Sequence, residues 1–194
     1  MILQQEPCLM QGSKEWLKLR KSRITATDAA ICMGLNPWKD TLQLYNEKLD
    51  IIPQEDCNAA MQRGIDMEPI AREAFEKETG YLVFPQVIVQ DWQMASLDGM
   101  DLHGFVQVEI KCGGKKLHDM AKKKVIPAYY RCQIQHQMLM TGLEYSYYYS
   151  FNGNEGIVLV IERNDDFIEE MVVAEKQFYE CLISRIPPIK KATF

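Results

Sequence analysis

At Gly80 the apolar residues of this chain change their spacing. Before that glycine they recur at helical intervals, most continuously in "NAAMQRGIDMEPIAREAFEKETG". After it, "YLVFPQVIVQ", "QMASLDG" and "GFVQVEIK" alternate apolar with polar side chains and are rich in β-branched and aromatic residues. A helical period cannot lie flat in a sheet, and an alternating one cannot form an amphipathic helix, so the switch predicts helices followed by a β-meander. Upstream, "SKEWLKLRK" reads as a helix, then a short one capped by Thr25 or Thr27 and ended by Gly34, then "TLQLYNEKLD". In the long helix before Gly80, Pro69 removes a backbone donor and predicts a kink or a fresh start. Downstream, "KKLHDMAKKK" and "PAYYRCQIQHQMLMTG" read as helices, the second opened by Pro127, closed by Gly142 and striped by Tyr130, Ile134 and Met138. A hairpin turning at Asn152-Gly153 and a final amphipathic helix, with Ile168, Met171, Val172, Phe178 and Leu182 inward, complete the chain. No repeat, low-complexity tract or linker divides it. The order predicts one domain over residues 1–194, of α/β (α+β) class, with a central mixed sheet covered by helices on both faces.

With 194 residues, 47% of them hydrophobic, the chain can bury a core, and no apolar run approaches the length of a membrane span. The first residues lack a basic stretch followed by an apolar one, so a soluble intracellular protein without membrane association is expected. Cysteines 8, 32, 57, 112, 132 and 181 form no CxxC pair and no zinc spacing, and read as reduced thiols. The net charge of −5 argues weakly against a polyanionic partner, but the charge is unevenly spread. Residues 111–131 hold seven basic side chains against Asp119 alone, whereas 144–180 hold nine acids against two bases. A lysine run by itself reads as a solvated helix face.

Chemistry enters at "SLDGMDLHGFVQVEIKC". On a strand Glu109 and Lys111 share a face while Val108 and Ile110 take the other. An isolated E-x-K is usually a surface strand end with an ion pair. Asp98 changes that: it lies in a Ser-Leu-Asp-Gly turn ending the preceding strand, where a hairpin would bring it beside Glu109. Two adjacent carboxylates repel unless a cation separates them, and oxygen donors suit magnesium or manganese. A lysine beside such a metal can position water or offset charge on a phosphoryl transition state. The pattern D-(x10)-E-x-K therefore reads as a metal-dependent phosphodiester hydrolysis site.

These residues resemble the motif of the PD-(D/E)xK nuclease superfamily, and the surrounding segments resemble its lambda-type phage exonuclease branch, the YqaJ-like viral recombinases. "EWLKLRKSRITATDAA" is similar to that family's opening W-x-x-x-R-x-x-x-I-T-A-S segment, "RGIDMEPIAREAFEKETG" to its G-x-x-x-E-x-x-A-R helix, and "AYYRCQIQHQMLMTG" to its Y-x-x-Q-x-Q helix. The resemblance implies a restriction-endonuclease-like core. It implies that Asp98, Glu109, the carbonyl of Ile110 and Glu68 ligate two Mg²⁺ ions (or Mn²⁺), that Lys111 serves the attacking water, and that Gln133 stands behind the lysine. Arg20 and Thr27 match the positions holding a terminal 5′-phosphate, with threonine where serine is usual. A further family arginine is missing from the loop "GLNPWKDT", where Lys39 is the substitute. Met61 falls where the lambda enzyme parts the strands, although a methionine on a helix is more often core. Lys115 and Lys116 become a surface for tracking the DNA backbone.

The implied activity is 5′→3′ digestion of double-stranded DNA ends, leaving 3′ single strands for recombination. The implied partners are a single-strand annealing recombinase protein and two further copies in a homotrimer ring, in the cytoplasm of a bacterial host and encoded by a phage or prophage. An endonuclease or restriction-type enzyme on the same fold shares Asp98, Glu109 and Lys111 but needs no end-recognition residues. An iron–sulfur nuclease is disfavoured because the cysteines lack a clustered C-terminal triplet. A non-catalytic DNA-binding module is disfavoured by the intact acidic and lysine residues.

Overall fold

The structure, a computed structural model, describes residues 9–53 and 58–189. Cys8 and Cys57 lie outside the described residues. Local chemistry sets the helix ends. Ser13 caps α1 (Lys14–Ser22) by accepting from the Trp16 amide. Thr25, rather than Thr27, caps α2 (Ala26–Cys32), in a reciprocal box with Asp28. Asp40 and Gln43 form the same box at α3 (Thr41–Lys48). The long α4 (Ala59–Thr79) starts on Asn58 and stops at Gly80, whose φ of 79° is the left-handed conformation that glycine adopts without strain. Pro69 does not break α4, which runs on through it as one helix.

The meander follows as β2 (Phe84–Gln90), β3 (Gln93–Met100) and β4 (Gln107–Lys111), with both neighbouring pairs antiparallel. A two-residue strand not anticipated from the sequence, β1 (Ile24–Thr25), pairs parallel with the start of β3. Helices α5 (Lys115–Lys122) and α6 (Ala128–Thr141) then carry the chain across, so that β5 (Tyr145–Phe151) lies parallel to β4. β6 (Gly156–Glu162) returns antiparallel and α7 (Asp165–Ser184) closes the fold. The sheet order is β1-β3-β4-β5-β6, with β2 on the other edge of β3. This is the mixed sheet expected.

Helices cover both faces. On one, Ala71 and Phe75 of α4 pack on Val108, Ile110, Tyr149 and Phe151. On the other, Ile134 and Met138 of α6 pack on Tyr148 and Ile161. Adjacent Tyr148 and Tyr149 thus enter opposite cores, as strand alternation requires. Four of the five residues of β4 are buried, and the strand delivers its last residues between the two helical layers.

Candidate active site

The structure places Asp98 inside β3, not in a turn after it as the sequence suggested. The physical reason is a bulge. Phe84 faces Met100 and Gln86 faces Leu97, so the single residue Pro85 opposes both Asp98 and Gly99. β2 pairs only with β3, and on such an edge strand a proline without an N–H is tolerated. On the other edge of β3, Gly99 faces Val108, the last pair of that ladder, and just beyond it Asp98 lies close enough to Glu109 for the two charges to interact. The Ile110 amide donates to Asp98 Oδ2 at 2.8 Å. The hairpin therefore joins the two acids, as the spacing predicted.

Glu109 is fully buried, and side chains hold both of its carboxyl oxygens. Lys111 forms an ion pair with its Oε1, Gln133 Nε2 donates to the same oxygen at 2.6 Å, and Gln137 Nε2 donates to Oε2 at 2.5 Å. Gln133 thus stands behind the glutamate, not behind the lysine as the family resemblance implied. Gln137 was missed in the sequence, although its spacing of four from Gln133 puts both amides on one face of α6. The Lys111 ammonium also lies 4.9 Å from the centre of the Tyr130 ring. From the α4 side, Arg72 donates to the Asp98 carbonyl at 2.8 Å and pairs with Glu68 at 2.5 Å.

The charges of these groups are interdependent. Burial, then Glu109 and Glu68, push the Asp98 carboxyl well above its ordinary range, despite Lys111 and the Ile110 amide. Burial also raises Glu68, against the opposing pull of Arg72 and Lys111. Burial alone would lower Lys111, but Glu109 and Asp98 outweigh it and hold the ammonium above the usual lysine range. Acids that resist ionisation in one another's company form a donor set that a hard divalent cation fits. Among the described residues no three His, Cys, Asp or Glu side chains make a ready cage, since Lys111, the two glutamines and Arg72 hold the oxygens of Glu109 and Glu68. Cys112, next to this cluster, has its thiol raised to about 11 by burial and by Glu68 and Asp98.

A second constellation sits where α1 meets α2. The Arg20 guanidinium lies 4.5 Å from the Trp16 ring centre and donates to Thr27 Oγ1 at 3.3 Å. Trp16 is itself fastened to β3 through Ser96 at 2.9 Å. Burial raises Asp28, but Lys48, at 2.8 Å, and Arg20 more than offset that and keep its carboxyl low. Lys39 is bonded to Glu47 at 2.7 Å. Lys115 and Lys116 are exposed at the start of α5, and Met61 is 49% exposed on α4 rather than in the core.

Comparison with known proteins follows the same lines. The family model of the YqaJ-like viral recombinase domain matches residues 15–144. Protein YqaJ of Bacillus subtilis (strain 168), described as uncharacterized, is 29% identical over 174 residues and 85% of this chain. The chain spans about half, 54%, of that relative's length. Two structures of LHK-Exo, an alkaline exonuclease from Laribacter hongkongensis, one in complex with dAMP, superpose with a TM-score of 0.76 at 27% and 28% identity. Each covers 90% of this chain and 94% of its own. A phage-related exonuclease from Haemophilus somnus 129PT has the same fold at a TM-score of 0.65 and 14% identity, over 84% of this chain and 96% of that one. No described helix is long and apolar enough to cross a membrane.

Proposed function

The chain belongs to the YqaJ-like viral recombinase family, and from that membership we propose that it is a metal-dependent exonuclease that digests double-stranded DNA from its ends. The direction is 5′→3′, and the product is a 3′ single strand for annealing. The observation that carries this reading is the convergence of Asp98, Glu109 and Lys111 at one point between β3, β4 and α6, with Glu68 approaching from α4. Asp98, Glu109, the Ile110 carbonyl and Glu68 would hold two magnesium (or manganese) ions, which when bound supply Lewis-acid polarisation of the scissile phosphate.

The chain's own residues do the rest. Lys111 orients the attacking water and offsets charge building on the phosphate. Gln133 and Gln137 keep Glu109 in one rotamer. Arg20 and Thr27 receive the 5′-terminal phosphate, and the Trp16 ring limits where the guanidinium can swing. Lys39 joins them by exchanging Glu47 for phosphate. Lys115 and Lys116 follow the backbone of the duplex. We further propose a closed homotrimer, which would let an acidic chain stay on a polyanion through many cleavage steps, and delivery of the product to a single-strand annealing protein. The family points to the cytoplasm of a bacterial host as the setting.

The test compares a linear 5′-phosphorylated duplex with a covalently closed circle in Mg²⁺. Only the linear form should be consumed, from its 5′ ends. Glu109→Gln and Lys111→Ala should each lower turnover by ~10²–10³ or more while leaving DNA binding in place. Cutting of the closed circle would instead favour an endonuclease, and binding without cutting would favour a non-catalytic module.

A further inference from the structure

Trp38 is 70% exposed, an unusual position for the largest apolar side chain, and yet it is firmly held. The Asn36 side chain accepts from the backbone amides of both Trp38 and Lys39 at 2.9 Å, which fixes the turn that carries the indole. Behind it stands Tyr129, whose ring meets Trp38 at 5.0 Å between centroids and 69°. Tyr129 meets Tyr130 at 4.4 Å and 63°, and Tyr130 carries the Lys111 ammonium at 4.9 Å. An unbroken aromatic series therefore runs from solvent to the lysine of the candidate active site. Other exposed apolar side chains, such as Leu102 and Ile189, have no such link to it.

We propose that Trp38 is a stacking platform for an unpaired base of the strand being digested, with Tyr129 as its support and Tyr130 leading that strand toward Lys111. This rests on the nuclease reading above. The chemistry favours a base over other occupants. The open indole surface offers no charge to a phosphate, whereas it matches the flat face that a base exposes once it leaves the duplex. Stacking also ignores base identity, which suits an enzyme that must accept every sequence it meets. The rigid turn lowers the ordering cost of the contact.

The experiment measures binding of a 5′-phosphorylated oligothymidylate to the whole protein in EDTA, where no cleavage occurs. A series of strands carries a single abasic site at the first, second or third nucleotide. Wild type should lose about 5- to 100-fold in affinity at the position whose base stacks. Trp38→Ala should bind the full strand as weakly as wild type binds that abasic strand, and should no longer register the missing base. Trp38→Phe should recover most of the discrimination. The proposal is overturned if Trp38→Ala keeps the wild-type abasic penalty, or if wild type shows none at any position. Digestion of an ordinary linear duplex by wild type is scored separately. A Trp38-dependent abasic penalty without digestion sinks the nuclease reading and spares the platform; digestion without the penalty does the reverse.

Discussion

Asp98 is held in a place that does not suit its own charge. Burial and the neighbouring acids raise its carboxyl, so the folded protein binds a proton more readily than the unfolded chain. The sign follows directly. Below the unfolded value, ~3.9, both states are protonated and the residue costs nothing. As pH rises from there toward the raised folded value, the unfolded chain ionises while native Asp98 keeps its proton, so the native state loses stability progressively, and above the folded value the loss is complete. At pH 8 without divalent ions, Asp98→Asn should therefore melt higher than wild type, by about 2–4 °C if it relieves ~1 kcal/mol. Added Mg²⁺ should raise the melting temperature of wild type and leave the variant nearly unmoved. Equal melting of the two proteins in EDTA at pH 8 would remove the charge-frustration argument. Gln133 and Gln137 show the complementary case, in which a buried acid is tolerated because amides and an ammonium saturate its oxygens.

At the scale of elements, two prolines and a glycine shape the site. Pro85 sits opposite the bulge that contains Asp98, and Gly99 within that bulge has no room for a side chain. A Cβ there would lie 2.6 Å from a Val83 methyl and 2.8 Å from one of Val108. Pro69 lies inside α4 immediately after Glu68 and is exposed. Its cost to the helix is ~3 kcal/mol in general, and no packing offsets it here. Pro69→Ala should stabilise the protein by about 1–3 kcal/mol in urea denaturation, since it restores a backbone hydrogen bond. An unchanged or reduced urea midpoint would mean that the surrounding fold already absorbs the proline.

The whole molecule combines a net charge of −5 with exposed basic residues near the start of α5. Lys122, by contrast, is tied to Glu155 at 2.6 Å, and buried His118 sits on the same carboxylate, so α5 is anchored to the β5–β6 hairpin while its first turn stays open. DNA affinity should accordingly depend on salt through Lys115 and Lys116. Replacing both with glutamine should flatten the plot of log affinity against log salt by about two units, at ~0.9 per phosphate contact, with little change in stability. A slope equal to that of wild type would place the DNA elsewhere.

Much of this was readable from the chain because its causes are local. The switch of period at Gly80, a threonine cap at the start of α2, the stops at Gly80 and Gly142 and the shared face of Glu109 and Lys111 all depend on residues a few positions apart. Family motifs carried Glu68, Arg20, Thr27 and Gln133 into the account, and the fold brings Arg20 to Thr27 and Gln133 to Glu109. Tertiary structure alone decided the parallel pairing of β4 with β5, the two-residue β1, the bulge that keeps Asp98 inside its strand, the second amide on Glu109, and the seating of Trp38 against Tyr129. Each of these joins segments distant in sequence or depends on ladder register. A local pattern records which face a side chain takes, but not which distant face it will meet.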